Sequence, residues 1–317
     1  MKAVLLDEDR FAEDIQLTTP EALSELVRFK GTPQDNAVII ERCQDADIVI
    51  VGSLRIEREV IEALHNLKLL QVTSVGTNQV DIKACEDNAV KVLNVPGFAT
   101  ATVAEHTFML LLNAMRAGVN YHNKVKDGSW KQQDRADMMN ADIIDLENLT
   151  LGLIGVGDIG KRVSKIAEAY GMKVLWAEHK GETPRNDSYT EFDTVLAESD
   201  VISLHCPLTE KTKHLIDDDA ISKMAKTPIV INVARGKVVD TQALAKAIKA
   251  EKVLGFATDV FEREPADIND PIVQLANQPH PRVILSPHVG AASKASQVKL
   301  WEVVRNQVNQ FVKESSK

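Results

Sequence analysis

Cysteine is scarce in this chain. Cys43, Cys85 and Cys206 are the only three among 317 residues, odd in number and widely spaced. That excludes a disulfide framework and offers no zinc-ligand spacing, so a reducing compartment, the cytoplasm, fits. Their expected role is that of small buried hydrophobes. A basic excess is also missing. Lys and Arg total 37 against 46 Asp and Glu, a formal net charge of -9, which excludes a general binder of nucleic acid or of anionic membranes. It does not exclude an anionic substrate, because one local arginine can govern a pocket. There is no uninterrupted apolar stretch long enough to span a bilayer, and the start, Met1-Lys-Ala-Val-Leu-Leu-Asp7, reads as a first strand rather than a secretory signal. Tandem repeats and low-complexity segments are absent as well.

What the chain does contain is a glycine run near its middle. Gly155, Gly157 and Gly160 form G-x-G-x-x-G. The apolar residues Leu151, Leu153, Ile154 and Val156 lead into it as a buried parallel strand would. Val163, Ile166, Ala167 and Tyr170 follow at helical spacing. In that strand-turn-helix context Gly155 permits the tight turn, Gly157 lets backbone approach a pyrophosphate, and Gly160 lets the helix pack close to the strand. The phosphates face the free N–H groups and positive dipole end of the helix N-terminus. A second strand, Lys173-Val-Leu-Trp-Ala177, ends at Glu178, about 20 residues past the motif, where an acid can accept from ribose hydroxyls. Dinucleotide binding is the reading.

Strand and helix patterns alternate almost throughout, the mark of a parallel-sheet α/β protein. In the first third, Ala3–Leu6, Ala37–Ile40, Ile48–Val51, Leu69–Val72 and Val90–Leu93 read as strands, while Pro20–Phe29 and Glu57–Leu64 read as helices. A turn at Val95-Pro96-Gly97 precedes a strongly apolar helix over Thr102–Met115. Tyr121–Asn148 is polar and irregular but carries Trp130, Met138 and Met139. It reads either as a surface excursion or as an arm packed on a partner subunit. Later strands fall at Val201–Leu204, Ile229–Val233, Val253–Thr258 and Val283–Ser286. The last segment, Ser293–Val312, is an amphipathic helix with Val298, Trp301, Val304, Val308 and Phe311 on one stripe. A dinucleotide unit that begins mid-chain leaves the N-terminal α/β unit as a separate domain, with substrate expected in the cleft between the two.

Three polar residues follow predicted strands. Arg235 lies in Ile231-Asn-Val-Ala-Arg-Gly236, where a guanidinium can grip a carboxylate bidentately and stay charged. Glu264 lies in Asp259-Val-Phe-Glu-Arg-Glu-Pro265. His288 lies in Leu285-Ser-Pro-His-Val-Gly290, where an imidazole can exchange a proton with a carbonyl or alcohol oxygen. A carboxylate on the other ring nitrogen would fix the tautomer and favour the protonated ring. Spacing alone leaves competing readings. A lone loop histidine is more often a surface or packing residue, and His106, His205 and His214 are rival candidates. His280 reads as a rigid loop residue, and His65, His122 and His179 read as exposed. Asp259 could be a strand-end cap, and Glu262 with Arg263 a solvated pair.

Several motifs taken together resemble the D-isomer-specific 2-hydroxyacid dehydrogenase family. They are Gly155–Gly160, Ser203-Leu-His-Cys-Pro-Leu-Thr209, Asn232-Val-Ala-Arg-Gly236, Asp259-Val-Phe-Glu-Arg-Glu-Pro265 and Ser286-Pro-His-Val-Gly290. Val75-Gly-Thr-Asn-Gln-Val-Asp81 and Val95-Pro-Gly-Phe-Ala-Thr-Ala-Thr-Val-Ala-Glu-His106 extend the resemblance over nearly the whole chain. It is most similar to the glycerate dehydrogenase/hydroxypyruvate reductase branch.

The resemblance implies two Rossmann-like domains with parallel sheets, the cofactor domain (residues 101–286) inserted into the substrate domain (1–100 and 287–317). It implies reversible hydride transfer between NADH and a small 2-oxo acid, with hydroxypyruvate/D-glycerate or glyoxylate the first choice and D-lactate/pyruvate another. Arg235 would bind the substrate carboxylate, His288 would be the general acid-base, and Glu264 would hydrogen-bond to it. Backbone at Val75 and Gly76 would complete the carboxylate site. Asp259 would orient the nicotinamide carboxamide and Glu178 would take the adenosine ribose. Further cofactor contacts would come from Val156, Asp158, Ile159, His205, Cys206, Pro207, Thr212, Val233, Ala234 and His288. A homodimer held mainly through the cofactor domain is implied, and no metal. Glu178 favours NAD over NADP, because a carboxylate there repels a 2′-phosphate, although His179 and Lys180 follow it. Some relatives of this family are instead NAD-sensing corepressors that keep the same residues, and a non-catalytic nucleotide-binding protein is a third reading.

Overall fold

The computed structural model describes residues 1–130, 143–277, 280 and 282–315. Met138 and Met139, and with them the middle of the expected arm, lie outside the described residues. The chain divides into two compact units, Met1–Ala99 with Ala292–Lys317, and Thr100–Ala291. The second unit is therefore inserted, in chain order, into the first. Both units are α/β with entirely parallel sheets.

The first unit holds a five-stranded sheet of order β2-β1-β3-β4-β5, from β1 (Lys2–Leu5), β2 (Glu25–Arg28), β3 (Ile48–Val51), β4 (Leu69–Val72) and β5 (Lys91–Leu93). All four residues of Ile48-Val-Ile-Val51 are buried, as expected of a central parallel strand covered on both faces. Two sequence expectations are reversed here. Ala37–Ile40, read as a strand, lies in helix α1 (Asn36–Cys43). The Asp35 carboxylate accepts from the N–H groups of Ala37 (2.8 Å) and Val38 (3.4 Å), and Ile39 and Cys43 bury one face at a spacing of four. A good cap and one buried face override the β-branched run. Pro20–Phe29, read as a helix, yields strand β2. Main-chain pairing with β1, register Lys2↔Glu25 to Leu5↔Arg28, decides its conformation. The last helix (Lys294–Ser315) buries Leu300, Trp301, Val304, Val308 and Val312, so its stripe is rotated from the expected one and leaves Val298 exposed.

The second unit holds a seven-stranded sheet of order β12-β11-β10-β9-β6-β7-β8. Its strands are β6 (Thr150–Ile154), β7 (Lys173–Ala177), β8 (Tyr189–Thr190), β9 (Val201–Leu204), β10 (Ile229–Asn232), β11 (Gly255–Thr258) and β12 (Val283–Leu285). The chain starts in the centre at β6, runs outward through β7, then returns to β9 on the other side. This reversal makes a switch point at the carboxyl ends of β6 and β9, where ligands bind in open α/β sheets. The helix over Thr100–Arg116 buries Ala104, Thr107, Phe108, Leu111, Ala114 and Met115 at three- and four-residue steps. A further helix, Gly118–Lys126, gives order to part of the stretch read as irregular. Among the described residues no helix is long and apolar enough to cross a membrane.

The second crossing between units falls after Ala291 rather than after residue 286. Hydrogen bonds explain the position. Ser286 N donates to Thr258 O (2.9 Å), and Val289 N and Gly290 N donate to the Asp259 carboxylate (2.9 and 2.8 Å). The segment carrying His288 is thus tied to the end of β11.

Candidate active site

The glycine turn opens directly from β6. Gly155 has φ +93°, and a Cβ there would run into the backbone of His205 and Cys206. That contact exists because His205 N donates to Ile154 O (2.8 Å), drawing the β6 and β9 ends together. A Cβ on Gly160 would sit 2.6 Å from Gly155 O, so this glycine is needed for close approach. A Cβ on Gly157 would meet nothing within 4 Å. The helix that follows, Asp158–Ala169, has Gly157 as its N-cap with no side-chain hydrogen bond closing the end. A glycine facing open space beside an uncapped helix terminus is a cradle for a pyrophosphate.

His205 and Cys206, at the end of β9, lie against this turn. His205 bonds through Nε2 to Ser203 Oγ (2.9 Å), while its Nδ1 is buried without a partner. Burial pushes its pKa down to about 4, so the ring is neutral at ordinary pH. Cys206 is buried and its thiol is pushed up to about 11. Thr212 builds the turn after Pro207, donating to Pro207 O (2.6 Å) and accepting from Thr209 N (2.7 Å).

Glu178 differs from its expectation. It is buried, and its carboxylate is held by Arg185 through Nε (2.8 Å), through Nη2 and through the Arg185 N–H (2.9 Å), with the His179 N–H adding a further bond (2.9 Å). Hydrogen bonds from Arg185 outweigh desolvation and hold its pKa well below the usual carboxylate range.

At the far side of the same sheet, the turns after β10, β11 and β12 converge. Asn232 shapes the first turn, accepting from Ala234 N (3.0 Å) and donating to Arg235 O (2.9 Å). Gly236 lets that turn lie against the backbone at Phe261, where a Cβ would collide. Glu264 Oε1 accepts from Phe261 N (3.0 Å), and its Oε2 lies 2.7 Å from His288 Nδ1. Arg235 is close enough for its charge to bear on Glu264. Burial pushes its own pKa down, with Glu264 opposing. Burial likewise disfavours the charged form of Glu264, but His288, the Phe261 N–H and Arg235 together keep its pKa below the ordinary value. Arg235, Glu264 and His288, separated by up to 53 positions in sequence, form one group. Among the described residues His288 Nε2 has no partner, and the side chain is 47% exposed.

Asp259 is more than a strand-end cap. Its buried carboxylate accepts from Ser286 Oγ (2.7 Å) and from the amides of Val289 and Gly290, and His106 Nε2 lies 3.2 Å away. Burial raises its pKa, but these donors, His106 first, bring it below the model-peptide value. His106 is therefore committed to Asp259 and Ser286, and His205 to Ser203, which removes two of the rival histidines. Glu262 pairs with Thr241 (Oγ1, 3.0 Å) rather than with Arg263, whose partner is Asp267. Val75 and Gly76 lie in the other unit, after β4. Their carbonyls accept from Asn94 Nδ2 (2.6 Å) and Ser74 Oγ (2.7 Å). Sequence reasoning missed Arg185 and Ser286. Ser286 stood in a quoted motif without a role, and Arg185 sits in a polar loop with no periodic signal.

Comparison with known proteins accords with this geometry. The sequence model of the D-isomer specific 2-hydroxyacid dehydrogenase, NAD binding domain, matches residues 108–290. The chain belongs to this family. It is 36% identical over 281 residues to a glycerate dehydrogenase of Methylorubrum extorquens, covering 89% of this chain and 86% of that protein. It is 33% identical over 300 residues to a hydroxypyruvate reductase of Blautia hydrogenotrophica, covering 93% and 91%. A solved D-lactate dehydrogenase of Aquifex aeolicus, complexed with NAD and lactic acid, shares 30% identity with a TM-score of 0.81 over 99% of this chain and 96% of that one. The protein is thus an oxidoreductase of the two-domain Rossmann type, and NAD is its cofactor. The open cradle at Gly157 and the uncapped helix end fit the pyrophosphate of that group.

Proposed function

We propose that the protein interconverts a small 2-oxo acid and its D-2-hydroxy acid, reversibly, with hydroxypyruvate/D-glycerate or glyoxylate as substrates. The observation that carries this reading is the 2.7 Å contact between His288 Nδ1 and Glu264, with Arg235 beside it, in the unit matched as NAD-binding. The names of the glycerate dehydrogenase and hydroxypyruvate reductase relatives support the choice of substrate.

Bound NADH supplies the hydride for the carbonyl carbon. Arg235 grips the substrate carboxylate with its planar fork and orients the oxo group. Glu264, ionised, fixes the proton on His288 Nδ1 and so turns Nε2 toward the reacting oxygen. His288 then gives the Nε2 proton to the carbonyl oxygen during reduction and takes it back during oxidation. Asp259 anchors the amides that follow His288 and so sets the height of the ring; its role toward the nicotinamide carboxamide belongs to the same proposal.

A homodimer through the second unit is part of the reading. It is supported by exposed Met109, Val119, Val125 and Trp130 on and after the helices there. The free, buried thiols support a cytoplasmic location. The deciding experiment is a panel of 2-oxo acids with NADH. Hydroxypyruvate or glyoxylate should give the highest kcat/KM, ahead of pyruvate. Stoichiometric NADH binding with no turnover on any member would sink the enzymatic reading and favour a corepressor-like one.

A further inference from the structure

We propose that Arg185 decides cofactor choice at the ribose end of the site: it occupies the Glu178 carboxylate and presents its own remaining N–H groups to the 2′ position, so that a 2′-phosphorylated dinucleotide is accepted alongside NAD. A carboxylate has about four lone-pair positions. Here Oε1 takes the His179 N–H and Arg185 Nη2, and Oε2 takes the Arg185 N–H and Nε. No position is left for a ribose hydroxyl, and the negative charge that would repel a 2′-phosphate has its counter-charge in contact.

The pair is also layered. The Glu178 side chain is 2% exposed and the Arg185 side chain 47%, so the cation is its outer member. A guanidinium has five N–H donors. Two of them reach Glu178, one lies 3.4 Å from His179 Nδ1, and Nη1 has no partner among the described residues. The Tyr189 ring lies under the guanidinium at 4.5 Å and holds its plane. Lys180 is held by Asp219 (3.3 Å) and Asp217 (3.8 Å), whereas Arg185 keeps donors to spare. An arginine at this place is what accommodates a 2′-phosphate in dinucleotide folds, as a carboxylate accommodates the 2′-hydroxyl. This chain has both, with the arginine outermost.

The inference rests on the dinucleotide reading and not on the choice of oxo acid. It is read by binding alone, so failure of the oxo-acid panel leaves it standing and its own failure leaves the panel intact. Dissociation constants for NADH and NADPH, and for 5′-AMP and 2′,5′-ADP as probes, should be measured on the wild type, Arg185→Ala and the double variant Glu178→Gln/Arg185→Ala. The wild type should bind NADPH within about thirtyfold of NADH, and the NADPH-to-NADH ratio should rise about tenfold or more in the double variant. It should rise further in Arg185→Ala, where the carboxylate is uncompensated. The double variant leaves no buried charge unpaired and guards against a folding failure of the single one. A purely structural role would weaken both dinucleotides alike. A wild-type preference for NADH beyond about thirtyfold, or an unchanged ratio in the double variant, overturns the proposal.

Discussion

His288 is held in an uncommon backbone state, φ +53°, by the residues on either side of it. Such a conformation persists only where neighbours over-determine it. Here Asp259 clamps the next two amides and Glu264 takes the ring. If His288 is the proton donor, His288→Ala should lower kcat about 10²–10⁴-fold with NADH affinity retained. Glu264→Gln makes a sharper test. The Glu264 carboxylate holds the His288 ring, so Glu264→Gln should remove the acid limb of kcat/KM that protonation of Glu264 produces. The lowered pKa of Glu264 sets that acid limb. With its folded-state pKa below the unfolded value of about 4.3, the pair is complete above that pH and lost as pH falls through the folded value. A pH profile unaltered by Glu264→Gln would leave the residue without a role in proton transfer. The individual residues Arg235, Glu264 and His288 were legible because each sits just after an apolar strand. Their convergence was not, since it depends on β10, β11 and β12 lying side by side. Arg185 was invisible for a related reason: an arginine seven positions past Glu178 in a polar loop has no pattern until the loop folds back.

Elements show where sequence reasoning holds. β6 and the helix after Gly157 were readable because the glycines constrain the turn between them and the helix face repeats at three and four residues. Ala37–Ile40 and Pro20–Phe29 were misread because each is short, and a cap or one neighbouring strand outweighs propensity over so few residues. The glycines of the turn do different work, which a pair of variants separates. Gly155→Ala places a side chain at φ +93° against the Cys206 amide, so it should lower the apo melting temperature by several degrees. Gly157→Ala meets open space at φ −84° and should leave that temperature within about a degree. Its methyl instead fills the cradle and should weaken NADH at least about tenfold. Equal NADH affinity in Gly157→Ala and the wild type would mean that the pyrophosphate does not lie there.

At the scale of the whole molecule, the mid-chain glycine run was enough to read an inserted unit, because a dinucleotide fold that starts near residue 150 leaves the earlier strands to another sheet. The exact crossing at residue 291 was not readable, since it rests on the Asp259 contacts. The two units have separate apolar cores: one around Val4, Ile39, Val49, Val60, Leu70 and Cys85, the others around β6, β9, β10 and β11. The scarce cysteines report on them individually. Cys43 and Cys85 belong to the first unit, and Cys206 adjoins the glycine turn in the second. Burial pushes their thiols up to about 12, 11 and 11. At pH 8 the thiolate fraction of each is on the order of one in a thousand or less, so a disulfide reagent should leave all three untouched in the native protein. In rising denaturant, saturating NAD should delay the labelling of Cys206, read by mass spectrometry, more than that of Cys43 and Cys85. At about a hundredfold excess over Kd the ligand adds roughly 2.7 kcal/mol to the state that binds it. An equal delay at all three thiols would show one cooperative unit despite the separate cores, and no delay at Cys206 would place NAD binding away from the β6–β9 crevice.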